Sequence, residues 1–92
     1  MINLKFNGAL VQLEDMVIAI AVESADFLNL PQPEKMMKMR AYQSAFPKTP
    51  FVMLLDMGNG ESEFFGRPDL TARLKEVPLN YITFKTYETK ED

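Results

Sequence analysis

The chain has 92 residues, 47% of them hydrophobic and 25% charged, with a formal net charge of −3. That is one domain of ordinary globular composition with a modest core, and its mild acidity argues against nonspecific coating of nucleic acid. Cysteine and histidine are both absent, which removes disulfides, thiol nucleophiles, Cys/His zinc sites and imidazole acid–base chemistry.

The longest apolar run, Met16 to Val22, is seven residues, far short of the ~20 that span a bilayer. Ala19-Ile20-Ala21 has the form of a signal-peptidase site, but Glu14 and Asp15 stand where the apolar centre of a signal peptide belongs. The expected setting is cytoplasmic.

Ile2, Leu4 and Phe6 alternate with Asn3 and Lys5, and alternation of period two predicts a half-buried strand. Asn7-Gly8 breaks it, and either a hairpin or a helix capped by Asn7 can follow. A helical wheel at ~100° per residue favours the helix. On it Gln12, Asp15, Ala19, Glu23 and Asp26 form one narrow stripe. Leu10, Leu13, Met16, Val17, Ile20, Ala21, Phe27 and Leu28 cover the opposite side, flanked by Val11, Ile18 and Val22. The expectation is one long helix over 9–28, buried over most of its girth.

Leu30-Pro31-Gln32-Pro33 ends that element and opens a second helix, from about Pro33 to Ala45, since proline suits a first helical turn. Met36, Met39, Tyr42 and Phe46 share one face of it, with Glu34, Lys38 and Ala45 on the other side. Pro47 and Pro50 lead into an apolar strand, Phe51 to Met57, expected inside a sheet. A shorter strand, Glu61 to Phe65, follows Gly58-Asn59-Gly60. Asp69 is expected to cap a short helix reaching about Glu76, with Pro68 just outside it, and Val77-Pro78 stops that helix. Leu79 to Tyr87 reads as a last strand with Tyr81, Thr83, Lys85 and Tyr87 on one face and Ile82 and Phe84 on the other. The tail from Glu88 to Asp92 is charged and expected to fray. The order is βααββαβ. It predicts an α+β domain with a small, mostly antiparallel sheet of about four strands and helices on one face.

The stretch DMGNGESEFFGR, residues 56–67, raises the question of a phosphate loop. Neither the Walker pattern nor the dinucleotide fingerprint fits: Glu61 follows Gly60, and the spacing lies between two strands. It reads as a hairpin turn in which Gly and Asn accept positive φ. Asp56, Asn59, Glu61 and Glu63 offer oxygens to a hard cation but follow no EF-hand spacing, so they read as a solvated acidic face. No metal and no cofactor is assigned. Asp56, Glu61, Arg67 and the tyrosine hydroxyls are the available reagents, and nothing in their spacing sets a reacting geometry. No catalytic residue is assigned, and the chain reads as non-enzymatic.

Three surfaces remain. Lys35, Lys38, Arg40 and Lys48, with Tyr42 and Phe46 interleaved, are the basic concentration a single strand of nucleic acid would want. The cations spread around the helix, however, which argues against nucleic acid. Met37, Arg40, Ala41 and Ser44 offer a soft helical surface, and Tyr81, Thr83, Lys85 and Tyr87 an amphipathic strand surface, both suited to a protein partner. The expected function is protein binding, as a homodimer. The alternative is a metabolite or nucleotide held in a pocket of Met53, Phe64 and Tyr81 with Arg67 as its polar anchor.

Overall fold

The computed structural model describes residues 5–89. Ile2, Asn3 and Leu4 of the first expected strand, and the end of the charged tail at 90–92, lie outside that range. Strand β1 (Lys5–Gln12) turns through Leu13-Glu14-Asp15-Met16 into β2 (Val17–Ser24). The two pair antiparallel with Gly8 opposite Ala21 and Gln12 opposite Val17. Leu13 N–H donates to the Met16 carbonyl at 2.7 Å and closes the turn.

The single helix expected over 9–28 is therefore a hairpin. Strand β2 is covered on both faces, so it reads as an unbroken apolar run with no alternation to announce it. Ala19, placed by the wheel on the wet stripe, has no exposed surface at all, and neither have Ile18, Ile20 and Ala21. The β-branched side chains at 17, 18, 20 and 22 favour the strand.

A 3₁₀ turn over Ala25–Asn29 leads to helix α1 (Gln32–Ser44), within a residue of expectation and with proline in its first turn. Strand β3 (Phe51–Gly58) lies parallel to β2, and β4 (Glu61–Phe65) returns antiparallel to β3. Asn59 and Gly60 join them at φ +56° and +78°, the paired positive values of a type I′ hairpin.

Helix α2 (Pro68–Leu74) has Arg67, not Asp69, at its N-cap, and Pro68 lies in its first turn rather than outside it. The Asp69 carboxylate is occupied instead by the Arg67 guanidinium at 2.8 Å. The expected last strand is shorter: Leu79–Tyr81 form a 3₁₀ turn, and only Lys85–Glu88 form β5, antiparallel to β1.

The domain is α+β, with a mixed sheet of five strands in the order β4-β3-β2-β1-β5. Its helices lie on opposite faces, not on one. Tyr42 of α1 and Phe46 just beyond it pack with Phe6, Ala19, Ala21, Phe27, Met53 and Leu55. Leu70 and Leu74 of α2 pack with Ala9, Val11, Ile18, Ile20 and Val52 on the reverse side. Period-two alternation along β2 and β3 supplies both cores at once. Among the described residues, no helix is long and apolar enough to cross a membrane.

Gly8 marks the closest approach in the hairpin. A Cβ there would sit 2.7 Å from the Ile20 carbonyl oxygen and 3.0 Å from the Tyr87 ring. Gly8→Ala is expected to cost about 1–3 kcal/mol through overpacking, read as a lower midpoint in denaturant unfolding. An unchanged midpoint would contradict this close pairing.

Candidate functional site

Helix α1 stands over the small side chains of Ala19 and Ala21 and fills the space above them with rings. Phe6 and Tyr42 have ring centroids 4.7 Å apart, and Phe46 and Tyr87 4.9 Å. Phe6 also stacks on Tyr87, with centroids 6.0 Å apart. Tyr87, expected on an outward face, therefore turns into the core.

One polar group sits beside this cluster. Glu23, next to last in β2, accepts hydrogen bonds from the Tyr42 hydroxyl at 2.5 Å and from Lys38 Nζ at 3.0 Å. Its other oxygen accepts the Ser24 N–H at 3.2 Å. Burial alone would raise the Glu23 pKa, but the donors from Tyr42, Lys38 and Ser24 outweigh it and hold the carboxyl below its ordinary 4.5. Burial, and then the Glu23 carboxylate, push the Tyr42 hydroxyl well above its ordinary 10.0. Tyrosine ionisation would set two anions against each other there, so the hydroxyl stays a donor. The node fastens α1 to the central strand and carries no reacting geometry.

The outer side of α1 is different. Met36 is 46% exposed and Met37 69%. Arg40 is exposed, and no ion pair engages it among the described residues. Ala41 and Ser44 are half-buried beside it. Met36, Met39, Arg40 and Gln43 form one wall of an open groove of about 380 Å³ whose other wall is Phe51, Gly66 and Arg67. Arg40 and Arg67 supply the charge of its lining, although Arg67 is shared with Asp69.

The remaining predicted residues scatter. Met53 is fully buried under α1, whereas Phe64 faces α2 beside Leu74 and Val77. Tyr81 is 77% exposed in its 3₁₀ turn, so Met53, Phe64, Arg67 and Tyr81 do not converge. Thr83 and Lys85 are exposed on the approach to β5 and at its start. Of the basic segment, Lys38 is held by Glu23 while Lys48 lies in the loop after α1 with φ +62°.

Asp56 and Ser62 are cross-strand partners, as are Leu55 and Glu63, so the strand pleat puts Asp56 and Glu63 on opposite faces. Among the described residues no group of three or more carboxylates converges as a metal site.

Glu23 was missed as a partner because the wheel placed it in solvent. The usable signal was a tyrosine on the buried face of α1, whose hydroxyl needs a partner. No family model, curated protein or solved structure matches this chain.

The depressed Glu23 pKa stabilises the fold above the ordinary carboxylate value, and that stabilisation is lost as pH falls from about 4.5 through the folded value. The raised Tyr42 pKa acts oppositely, stabilising below 10.0 and failing as pH climbs beyond it. Tyr42→Phe should cost about 1.5–3 kcal/mol at neutral pH, as expected for a hydrogen bond to a charged group. It should also flatten the alkaline limb of Tm against pH, while Glu23→Gln flattens the acid limb. Limbs unchanged in both variants would remove the node from the stability of the fold.

Proposed function

We propose that this chain is a non-enzymatic interaction domain that binds protein through the outer face of α1 and pairs with a second copy of itself. The observation that carries this reading is the exposure of Met36 and Met37 on a helix whose opposite side packs Tyr42 and Met39 into the ring cluster. Methionine and arginine are enriched in interfaces, where the flexible thioether adapts to the surface it meets. Here Met36, Met39, Arg40 and Arg67 line one groove, and Met37 is exposed beside it.

The sheet edges favour the helix face as the contact surface. Outer strand β4 carries Glu61 and Glu63, and outer strand β5 is four residues long with Lys85 and Glu88 exposed. Short, charged outer strands discourage strand addition. Charge supports self-pairing. Glu61 and Glu63 lie on the same side of the sheet as the exposed Arg40 of α1, so one face carries both signs and a twofold contact can be complementary to itself. A cytoplasmic setting goes with this proposal and rests on the cysteine-free composition.

Light scattering coupled to size exclusion is expected to show a dimer that dissociates on dilution and in high salt. Met36→Lys combined with Met37→Lys should weaken it by roughly two orders of magnitude, about 3 kcal/mol, with little change in Tm because both side chains are exposed. A monomer at every concentration in low salt overturns the self-pairing.

A further inference from the structure

Helix α2 has only seven residues, and it covers part of its face of the sheet. It is held at the β1–β2 turn, where the Arg73 guanidinium meets Asp15 at 2.6 Å. Toward the carboxyl ends of the parallel pair β2 and β3 the same face is open, and a cavity of about 450 Å³ lies there.

Val22 and Leu54, neighbours across β2 and β3, form the floor. Phe84 and Leu79, which are 37% and 42% exposed, form the walls. Asn7 and Ser62 add an amide and a hydroxyl with no hydrogen-bond partner among the described residues. Asp56 is the one charged residue of the lining among the described residues. Its Oδ1 accepts the Gly58 N–H at 2.9 Å, an Asx turn that fixes the rotamer. The second oxygen has no partner among the described residues.

We infer that this cavity is a binding site for a small organic ammonium ion. The ammonium group pairs with Asp56, where the Ser62 hydroxyl and the Asn7 carbonyl oxygen are further acceptors. The apolar body of the ligand lies on Val22 and Leu54 against the Phe84 ring.

Three features select this chemistry. Among the described residues no cation lines the cavity, so an anionic ligand would meet Asp56 unshielded, in a chain already at net charge −3. The exposed phenyl face beside a carboxylate suits an alkylammonium, which gains from both. The volume lies within the range of small-molecule sites and far above what a bare ion fills. The site lies on the opposite side of the sheet from the outer face of α1, so it stands independently of the pairing proposed above.

The test is a ¹H–¹⁵N titration of the full chain with phenethylamine, with phenylacetate as an anion of matched size. The amine is expected to give saturable shifts at Val22, Leu54, Asp56 to Gly60, Ser62 and Phe84, and the acid none there. Asp56→Asn keeps an acceptor for the Gly58 N–H, so the free spectrum should hold while amine affinity falls roughly tenfold. Phe84→Ala should weaken binding without restoring affinity for the acid. Equal shifts from amine and acid, no saturable shift with the amine, or an affinity unchanged in Asp56→Asn would each overturn the assignment.

Discussion

Burial of β2 on both faces is the constraint from which the rest of the structure follows. Ile18, Ala19, Ile20 and Ala21 are all without exposed surface. A strand can reach that state only with a partner on each edge and a layer on each face. Strand β1 supplies one edge through a four-residue turn, and β3 the other through the crossover that contains α1. A parallel pair requires such a crossover, because a tight turn cannot bring a strand back in the same direction.

The two faces of β2 differ in volume, and the helices differ accordingly. On the Ile18 and Ile20 side the strand fills its own space, and the leucines of a seven-residue helix close it. On the Ala19 and Ala21 side the strand leaves a hollow. Aromatic side chains from β1, α1 and β5 fill it in edge and stacked contacts, the geometries that ring quadrupoles favour. The Tyr42 hydroxyl and Lys38 then converge on Glu23 where the hollow reaches solvent. A half-buried carboxylate with three donors is satisfied, and helix orientation is set by hydrogen bonds as well as by packing.

Both open surfaces are by-products of this arrangement. The long helix cannot bury its whole circumference against one face of a small sheet, so its methionines remain outside. The short helix cannot cover its face from end to end, so a cavity remains over Val22 and Leu54. Electrostatics separates the two. Among the described residues the α1 groove is lined by Arg40 and Arg67 and the α2-side cavity by Asp56, charges of opposite sign.

Local chemistry marked several elements with punctuated boundaries. Proline set the start of α1, Asn59-Gly60 set the β3–β4 turn, and the apolar run from Phe51 set β3, each legible because the responsible residues are adjacent in the chain. Pro68 and Pro78 were visible too, but the first opens α2 from inside and the second precedes a 3₁₀ turn instead of a strand. The stretch from 9 to 28 was not legible. A strand covered on both faces and a helix buried around most of its girth present the same unbroken apolar letters, and Leu13-Glu14-Asp15-Met16 carries no glycine or proline to announce a turn. The candidate surfaces were legible in composition only: Met37 and Arg40 stood out, but the groove that Arg40 shares with Met36, Phe51 and Arg67 depends on elements brought together by the sheet. Asn7, Asp56, Ser62 and Phe84 meet for the same reason. By itself the sequence determined the absence of thiol and imidazole chemistry, the second helix and the glycine hairpin, all of which follow from residue identity and near neighbours. Only the tertiary structure decided that β2 is a strand, that the helices flank it on opposite sides, and that Glu23 receives Tyr42. Those outcomes depend on which apolar surface covers which, and that is a property of long-range pairing.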